Sequence, residues 1–290
     1  MTHRHATVPE LRRAISTEIL IAFGLSRNSW LQGILRPLVW PPAQRFASLA
    51  AEFDRQVALH GWPAACRWVM PRFVDDVHTI GDEHAPASGP LVVVSNHPGS
   101  YDVLALSVAL GREDLKILVS DVPFLRNMLA ASRHMIYTDT AAGTEARLGA
   151  GREGLRHLRT GGALLVYASA QVDPDPALLP GAAEALEGWS ASLSLFARRV
   201  PDLQVLVAIV SGVLSPACYR HPLTRIRRDQ RLRQFLAEFL QVGQQVLFGR
   251  RFGLEPTVRF APPLRVAGLN DPVDVRALAI AQARQLLAEV

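Results

Sequence analysis

A chain of 290 residues, 49% hydrophobic and 20% charged, is long enough to bury a large core and need not be split into independent domains. The formal charge is +5 and Lys116 is the single lysine, which suits anionic partners and leaves Schiff-base chemistry one candidate, set in an apolar run. With no zinc-finger spacing and no aromatic, basic RNA-binding signature, nucleic acid is not an expected partner.

The first 75 residues read as a helical region of their own. Met1 to Arg13 is polar and no small-residue cleavage site follows it, so no secretory signal is expected. The early apolar run Ile19 to Leu25 falls far short of the roughly 20 residues that cross a membrane, so the expectation is a cytoplasmic protein without a spanning helix. Leu11, Ile15, Ile19 and Ala22 share one helical face, and Phe46, Leu49, Phe53 and Val57 share another, with Pro37 and Pro41-Pro42 expected to break the chain between them. Trp30, Trp40, Trp62 and Trp68 are interleaved with Arg27, Arg36, Arg45, Arg55 and Arg67. That pattern suits either a peripheral contact with an anionic membrane surface, on its inner face, or packing against the rest of the protein.

Asp75-Asp76-Val77-His78 and Asp82-Glu83-His84 contain metal-ligand residue types but no helical histidine pair, so they read as a solvated linker and no metal is expected. Cys66 and Cys218 lack ligand spacing and read as buried fillers.

Leu91 to Val94, bounded by Gly89-Pro90, has the pattern of a buried strand, and Val103 to Leu110 that of an apolar helix. Between them lies Asn96-His97-Pro98-Gly99-Ser100-Tyr101-Asp102. Residues five apart point to different faces of a continuous helix, so His97 and Asp102 can meet only if the backbone turns, and Pro98-Gly99 supplies the turn. The layout is that of a general base beside an orienting carboxylate.

Strand-like and helix-like segments then alternate. Strands are expected at Leu115 to Val119, His134 to Thr138, Ala163 to Tyr167 and Gln204 to Val210. Helices are expected from Pro123 to Ala131, after a Thr144 cap with Leu148, Leu155 and Leu158 on one face, from Trp189 to Arg199, and through Leu232, Phe235, Leu236, Phe239 and Val246. Gly161-Gly162 ends one helix, and Asn270-Asp271-Pro272 begins the last. This alternation predicts an α/β fold, a β-sheet flanked by helices over residues 76–290, preceded by the helical region 1–75. Asp173-Pro174-Asp175-Pro176 reads first as a rigid turn, and second as carboxylates placed over the active site. Arg220, Arg225, Arg227, Arg228, Arg231 and Arg233 read as a solvated helix start or as an attraction for acidic lipid or another anionic partner. Neither a glycine-serine-glycine nucleophile elbow nor a lysine-ended phosphate loop occurs, which argues against a serine hydrolase and a nucleotide triphosphatase.

Asparagine-histidine, four residues and aspartate after a hydrophobic strand resembles the first signature block of the glycerolipid acyltransferases, which include lysophosphatidic acid acyltransferase. The resemblance implies a mixed sheet flanked by helices. It also implies that His97 takes the proton of a lipid acceptor's hydroxyl, that Asp102 orients the imidazole, and that acyl-CoA or an acyl carrier protein donates the acyl group without another cofactor. Substrate-binding positions are Asn96, Gly99 and Ser100 around the turn and Ser169 and Gln171 in the place of the third block, with other arginines, such as Arg126, Arg133 or Arg147, as alternatives for meeting an acceptor's phosphate. The later blocks depart from the family pattern. The second block's arginine position falls on Thr140, and Tyr167-Ala168-Ser169-Ala170-Gln171 stands where phenylalanine, proline, glutamate, glycine, threonine and arginine are usual. The fourth block, an apolar strand with proline, is matched only loosely by Val205 to Val213. Two readings follow: an active enzyme with an atypical acceptor, or a lipid-binding scaffold of impaired catalysis.

Overall fold

The computed structural model describes residues 7–26, 30–138, 143–190, 192–266 and 274–290. Among these, one mixed sheet contains β1 (His78–Ile80), β2 (Leu91–Ser95), β3 (Leu115–Ser120), β4 (Met135–Thr138), β5 (Ala163–Tyr167), β6 (Gln204–Ser211), β7 (Thr257–Phe260) and β8 (Leu264–Arg265). The order is β1-β7-β6-β2-β5-β3-β4, with β8 also on β6. From β6 to β4 every pairing is parallel, and β7 and β8 join β6 antiparallel. The described helices are α1 (Val8–Ala22), α2 (Leu31–His60), α3 (Trp62–Val69), α4 (Asp102–Leu110), α5 (Pro123–Asn127), α6 (Gly143–Arg159), α7 (Ala182–Ala185), α8 (Ser192–Arg199), α9 (Pro216–Tyr219), α10 (Gln230–Phe248) and α11 (Asp274–Leu287).

The chain divides into two compact units. One gathers Met1–Asp75, Asp121–Arg133 and Leu214–Leu254, and the other Asp76–Ser120, His134–Val213 and Glu255–Val290. The helical unit thus joins the N-terminal segment to two segments that come later in the chain. Polar side chains on α2 and α10 explain why. Asp54 on α2 accepts the backbone N–H groups of Ala130 and Ala131 at 2.8 and 2.9 Å. Gln241 on α10 accepts from Ser215 at 2.6 Å, and Arg227 donates to the Ala22 carbonyl at 3.0 Å.

Several element limits differ from those expected. α2 runs unbroken through Pro37, Pro41 and Pro42. An interior proline costs about 3 kcal/mol of helix stability, and α2 continues because it packs along α1, where Arg12 bonds Gln44 and lies over the Trp40 ring. α5 stops at Asn127, since Asp54 takes the amides that a longer helix would have bonded internally. β4 starts at Met135, one residue later than expected. α6 already includes Gly143, so Thr144 is inside the helix, and Leu148 is 52% exposed while Leu158 is fully buried. The segment after the Pro-rich loop contains α7 and a 3-10 turn before α8. On α10 the buried side carries Gln234, Glu238, Gln241 and Gln245 beside Leu236, while Leu232 is exposed. That polar stripe serves backbone groups, as Gln241 does at Ser215 and Gln245 at the Phe73 carbonyl. Asn270, Asp271, Pro272 and Thr140 lie outside the described residues.

All five residues of β2 are buried, so both faces of the sheet centre are covered. Val92 and Val94 join Leu164, Val166, Val205 and Val207 in one core with Leu193 and Phe196 of α8 and Ala279 and Ala283 of α11. A continuous apolar run is what a parallel strand covered on both faces requires.

Candidate active site

β2 and β5 pair in parallel with Ser95 opposite Tyr167, so both chains leave the sheet side by side at the C-terminal strand ends. Sites of open α/β sheets form at those ends. Asn96 finishes the strand through its side chain: Nδ2 donates to the Val210 carbonyl and Oδ1 accepts the Val210 N–H, both at 2.8 Å. The amide therefore extends the β2–β6 pairing past Ser95 and Ala208. The chain then turns at Pro98-Gly99, and α4 begins with Asp102.

This turn brings His97 Nδ1 to 2.7 Å from Asp102 Oδ2, with Asp102 fully buried and the His97 side chain 31% exposed. Facing a carboxylate, Nδ1 is the donor, which leaves Nε2 as the nitrogen through which the ring can act as a base. The Gly99 N–H donates to the same Asp102 oxygen at 3.1 Å. The Tyr167 hydroxyl donates to Oδ1 at 2.7 Å. The Tyr167 ring also lies against the imidazole, with 4.3 Å between centroids and 26° between planes. Burial, and then the adjacent Asp102 charge, push the Tyr167 phenol well above its ordinary range, so it remains a donor.

A second carboxylate holds the backbone of His97. Asp173 Oδ2 accepts the His97 N–H at 2.9 Å and the Ser169 hydroxyl at 3.0 Å, and the Asp173 N–H donates to the His97 carbonyl at 2.8 Å. Asp175 Oδ1 accepts from Gly212, just past β6, at 2.8 Å and from Ala177 at 3.1 Å. The loop expected first as a rigid turn is therefore also a strap across the ends of β2 and β6. Ser169 further donates to the Gln171 carbonyl at 3.0 Å. Between them, Ala170 has a φ of 54°, the one positive φ on a non-glycine among the described residues. Ala170 thus takes the left-handed conformation in the place where the acyltransferase block has glycine.

His97, Asp102, Asn96, Gly99, Ser100, Ser169 and Gln171 accordingly stand on two adjacent turns of one unit. Asn96 and Gly99 spend their amides on Val210 and Asp102, while Ser100 is exposed at the corner. Arg126 and Arg133 belong to the helical unit. Arg126 pairs with Asp121 and holds that carboxyl below its ordinary range, and Arg133 is exposed. Among the described residues no group of three metal-ligating side chains gathers. Asp75 pairs with Arg251, and His78 with Glu255. Sequence reasoning gave no role to the Tyr167 hydroxyl or to Asp173 as a backbone clamp. The available signal was their place, at and just beyond the strand that pairs with the histidine's strand.

Residues 76–188 match the Acyltransferase family model. No curated protein matched the chain's sequence. The crystal structure of the 1-acyl-sn-glycerophosphate (LPA) acyltransferase PlsC from Thermotoga maritima is similar at 14% identity, with a TM-score of 0.45, over 97% of this chain and 98% of that chain. The stretch matched by the family model contains the complete turn from Asn96 to Asp102 and the Tyr167–Asp173 loop.

Proposed function

We propose that this protein transfers a fatty acyl group from acyl-CoA or acyl carrier protein to the hydroxyl of a lysoglycerolipid or related lipid. The observation that carries the reading is the 2.7 Å contact between His97 Nδ1 and Asp102, made at the end of a parallel strand inside the matched domain. His97 Nε2 takes the proton of the acceptor hydroxyl as its oxygen attacks the thioester carbonyl. Asp102 stabilises the resulting imidazolium, and the thiolate leaves as the ester forms. No covalent enzyme intermediate is required.

The turn from Tyr167 to Asp173 contains no arginine. Its polar side chains, Tyr167, Ser169, Gln171 and Asp173, include no cation, which supports an acceptor without a phosphate at that position. The helical unit supports a membrane role. Trp30, just before α2, and Ile34 and Leu38 on it, at four-residue spacing, are 75%, 61% and 74% exposed, and Leu223 and Ile226 are exposed beside Arg225 and Arg228. Apolar side chains and arginines in such proximity suit the headgroup layer of an anionic bilayer. No described helix is long and apolar enough to cross a membrane.

The test is mass-spectrometric detection of acylated product from palmitoyl-CoA, and separately from palmitoyl acyl carrier protein. Lysophosphatidate, glycerol 3-phosphate and a phosphate-free lyso-lipid serve as acceptors. Product with the phosphate-free acceptor is expected, and no product with any pairing of donor and acceptor overturns the proposal.

A further inference from the structure

We infer that Tyr167 is a positioning residue for the acyl transfer proposed above, its hydroxyl fixing the Asp102 carboxylate and its ring fixing the His97 imidazole. The inference deepens that reading and rests on it. Tyr167 touches both members of the pair: its oxygen is 2.7 Å from Asp102 Oδ1, and its ring is stacked at 4.3 Å on His97. Asp102 is fully buried, so a donor on Oδ1 cannot be replaced by bulk water. With Oδ2 bonded to His97 and Gly99, and Oδ1 to Tyr167, the carboxylate is held by donors on both oxygens. Tyr167 stands where the signature block that this stretch resembles usually has phenylalanine, which has the ring but no hydroxyl.

The titratable groups around the imidazole are Asp102 at the start of α4, Tyr167 at the end of β5, and Asp173, which binds the His97 backbone N–H. Tyr167→Phe removes one oxygen and keeps the stack, leaving both carboxylates in place. Without that donor the Asp102 charge is less satisfied and attracts the imidazolium more strongly. Protonated His97 is then favoured, and the acidic limb of the rate profile moves to higher pH.

The experiment compares wild type, Tyr167→Phe and Tyr167→Leu by acyl-transfer kinetics against pH and by NMR titration of labelled histidine, with His97→Gln assigning the resonance. For Tyr167→Phe, kcat is expected to fall roughly 10- to 100-fold, the size of loss that a slightly misplaced catalytic group gives. KM should stay near the wild-type value, and the acidic limb and the His97 titration should both rise by roughly half a unit to one unit. Tyr167→Leu, which also loses the stack, should lose more. Site-specific 3-fluorotyrosine, a stronger donor, should shift the His97 titration in the opposite direction and covers the case in which Tyr167→Phe does not fold. An unchanged His97 titration in folded Tyr167→Phe, or in the fluorotyrosine protein, overturns the inference. A wild type that transfers no acyl group overturns the proposed function instead, since the titration is read without turnover.

Discussion

Ser95 stands opposite Tyr167 in the parallel pairing of β2 with β5, and this register decides which side chains meet beyond the strands. Side chains alternate along a strand, so Val166 enters the hydrophobic core while Tyr167 reaches Asp102. A slip of one residue would exchange those roles and leave the carboxylate against an apolar side chain.

Asp102→Asn should preserve the fold and remove the negative charge that selects the Nδ1–H tautomer of His97. Activity is expected to fall on the order of 10³- to 10⁴-fold, as when the carboxylate of a catalytic triad is replaced by an amide. Steady-state kinetics together with an unchanged circular dichroism spectrum would check it.

Asp173→Ala removes a buried carboxylate that accepts the His97 N–H and the Ser169 hydroxyl. An unsatisfied buried donor costs about 1 to 3 kcal/mol, so the melting temperature should drop and kcat should drop with it. Asp173→Asn keeps an oxygen in the same place and should lose less on both counts. Thermal unfolding and kinetics of the two variants, compared side by side, test the clamp.

Ala170 carries the strain of a left-handed backbone that glycine adopts without cost. Relief of about 1 to 2 kcal/mol is offset by the greater freedom that glycine gives the unfolded chain, about 0.4 to 1 kcal/mol. Ala170→Gly is therefore expected to stabilise the protein by up to about 1.6 kcal/mol in denaturant unfolding.

Arg112 is buried and donates to the carbonyls of Pro86, Gly89 and Gly161 as well as to Asp114. Arg112→Met leaves these acceptors without the guanidinium and should cost about 3 kcal/mol or more. Its hydrogen bonds are the main reason the Asp114 carboxyl sits below its ordinary value of 3.8, an effect partly opposed by burial. A lowered folded-state carboxyl adds stability that is present above the unfolded value and lost as pH falls through the folded one. Urea unfolding from neutral pH down to acid should therefore show the gap between wild type and Arg112→Met narrowing below pH 3.8, the ordinary Asp114 value.

Much of the sheet and the His97–Asp102 pair was legible because both are local in the sequence. β2 is a β-branched run closed by Gly89-Pro90, and five residues with a proline-glycine turn suffice to bring imidazole and carboxylate together. The supporting contacts were not legible, since they depend on register and on chain returns: Tyr167 lies 65 residues from Asp102, and Asp173 lies 76 from His97. Periodicity also misjudged α2 and α10. Packing along α1 carries α2 through three prolines, and the buried side of α10 includes glutamines that bond distant backbone groups. In both helices the tertiary surroundings outweighed local preference.

Free-thiol release from palmitoyl-CoA by wild type and His97→Ala, measured with and without the acceptor that gives product, is the most direct test. The expected result is acceptor-dependent release by the wild type and its loss in a folded His97→Ala protein. Release that continues unchanged in His97→Ala, or that proceeds equally well with water alone, would contradict a His97-based acyl transfer.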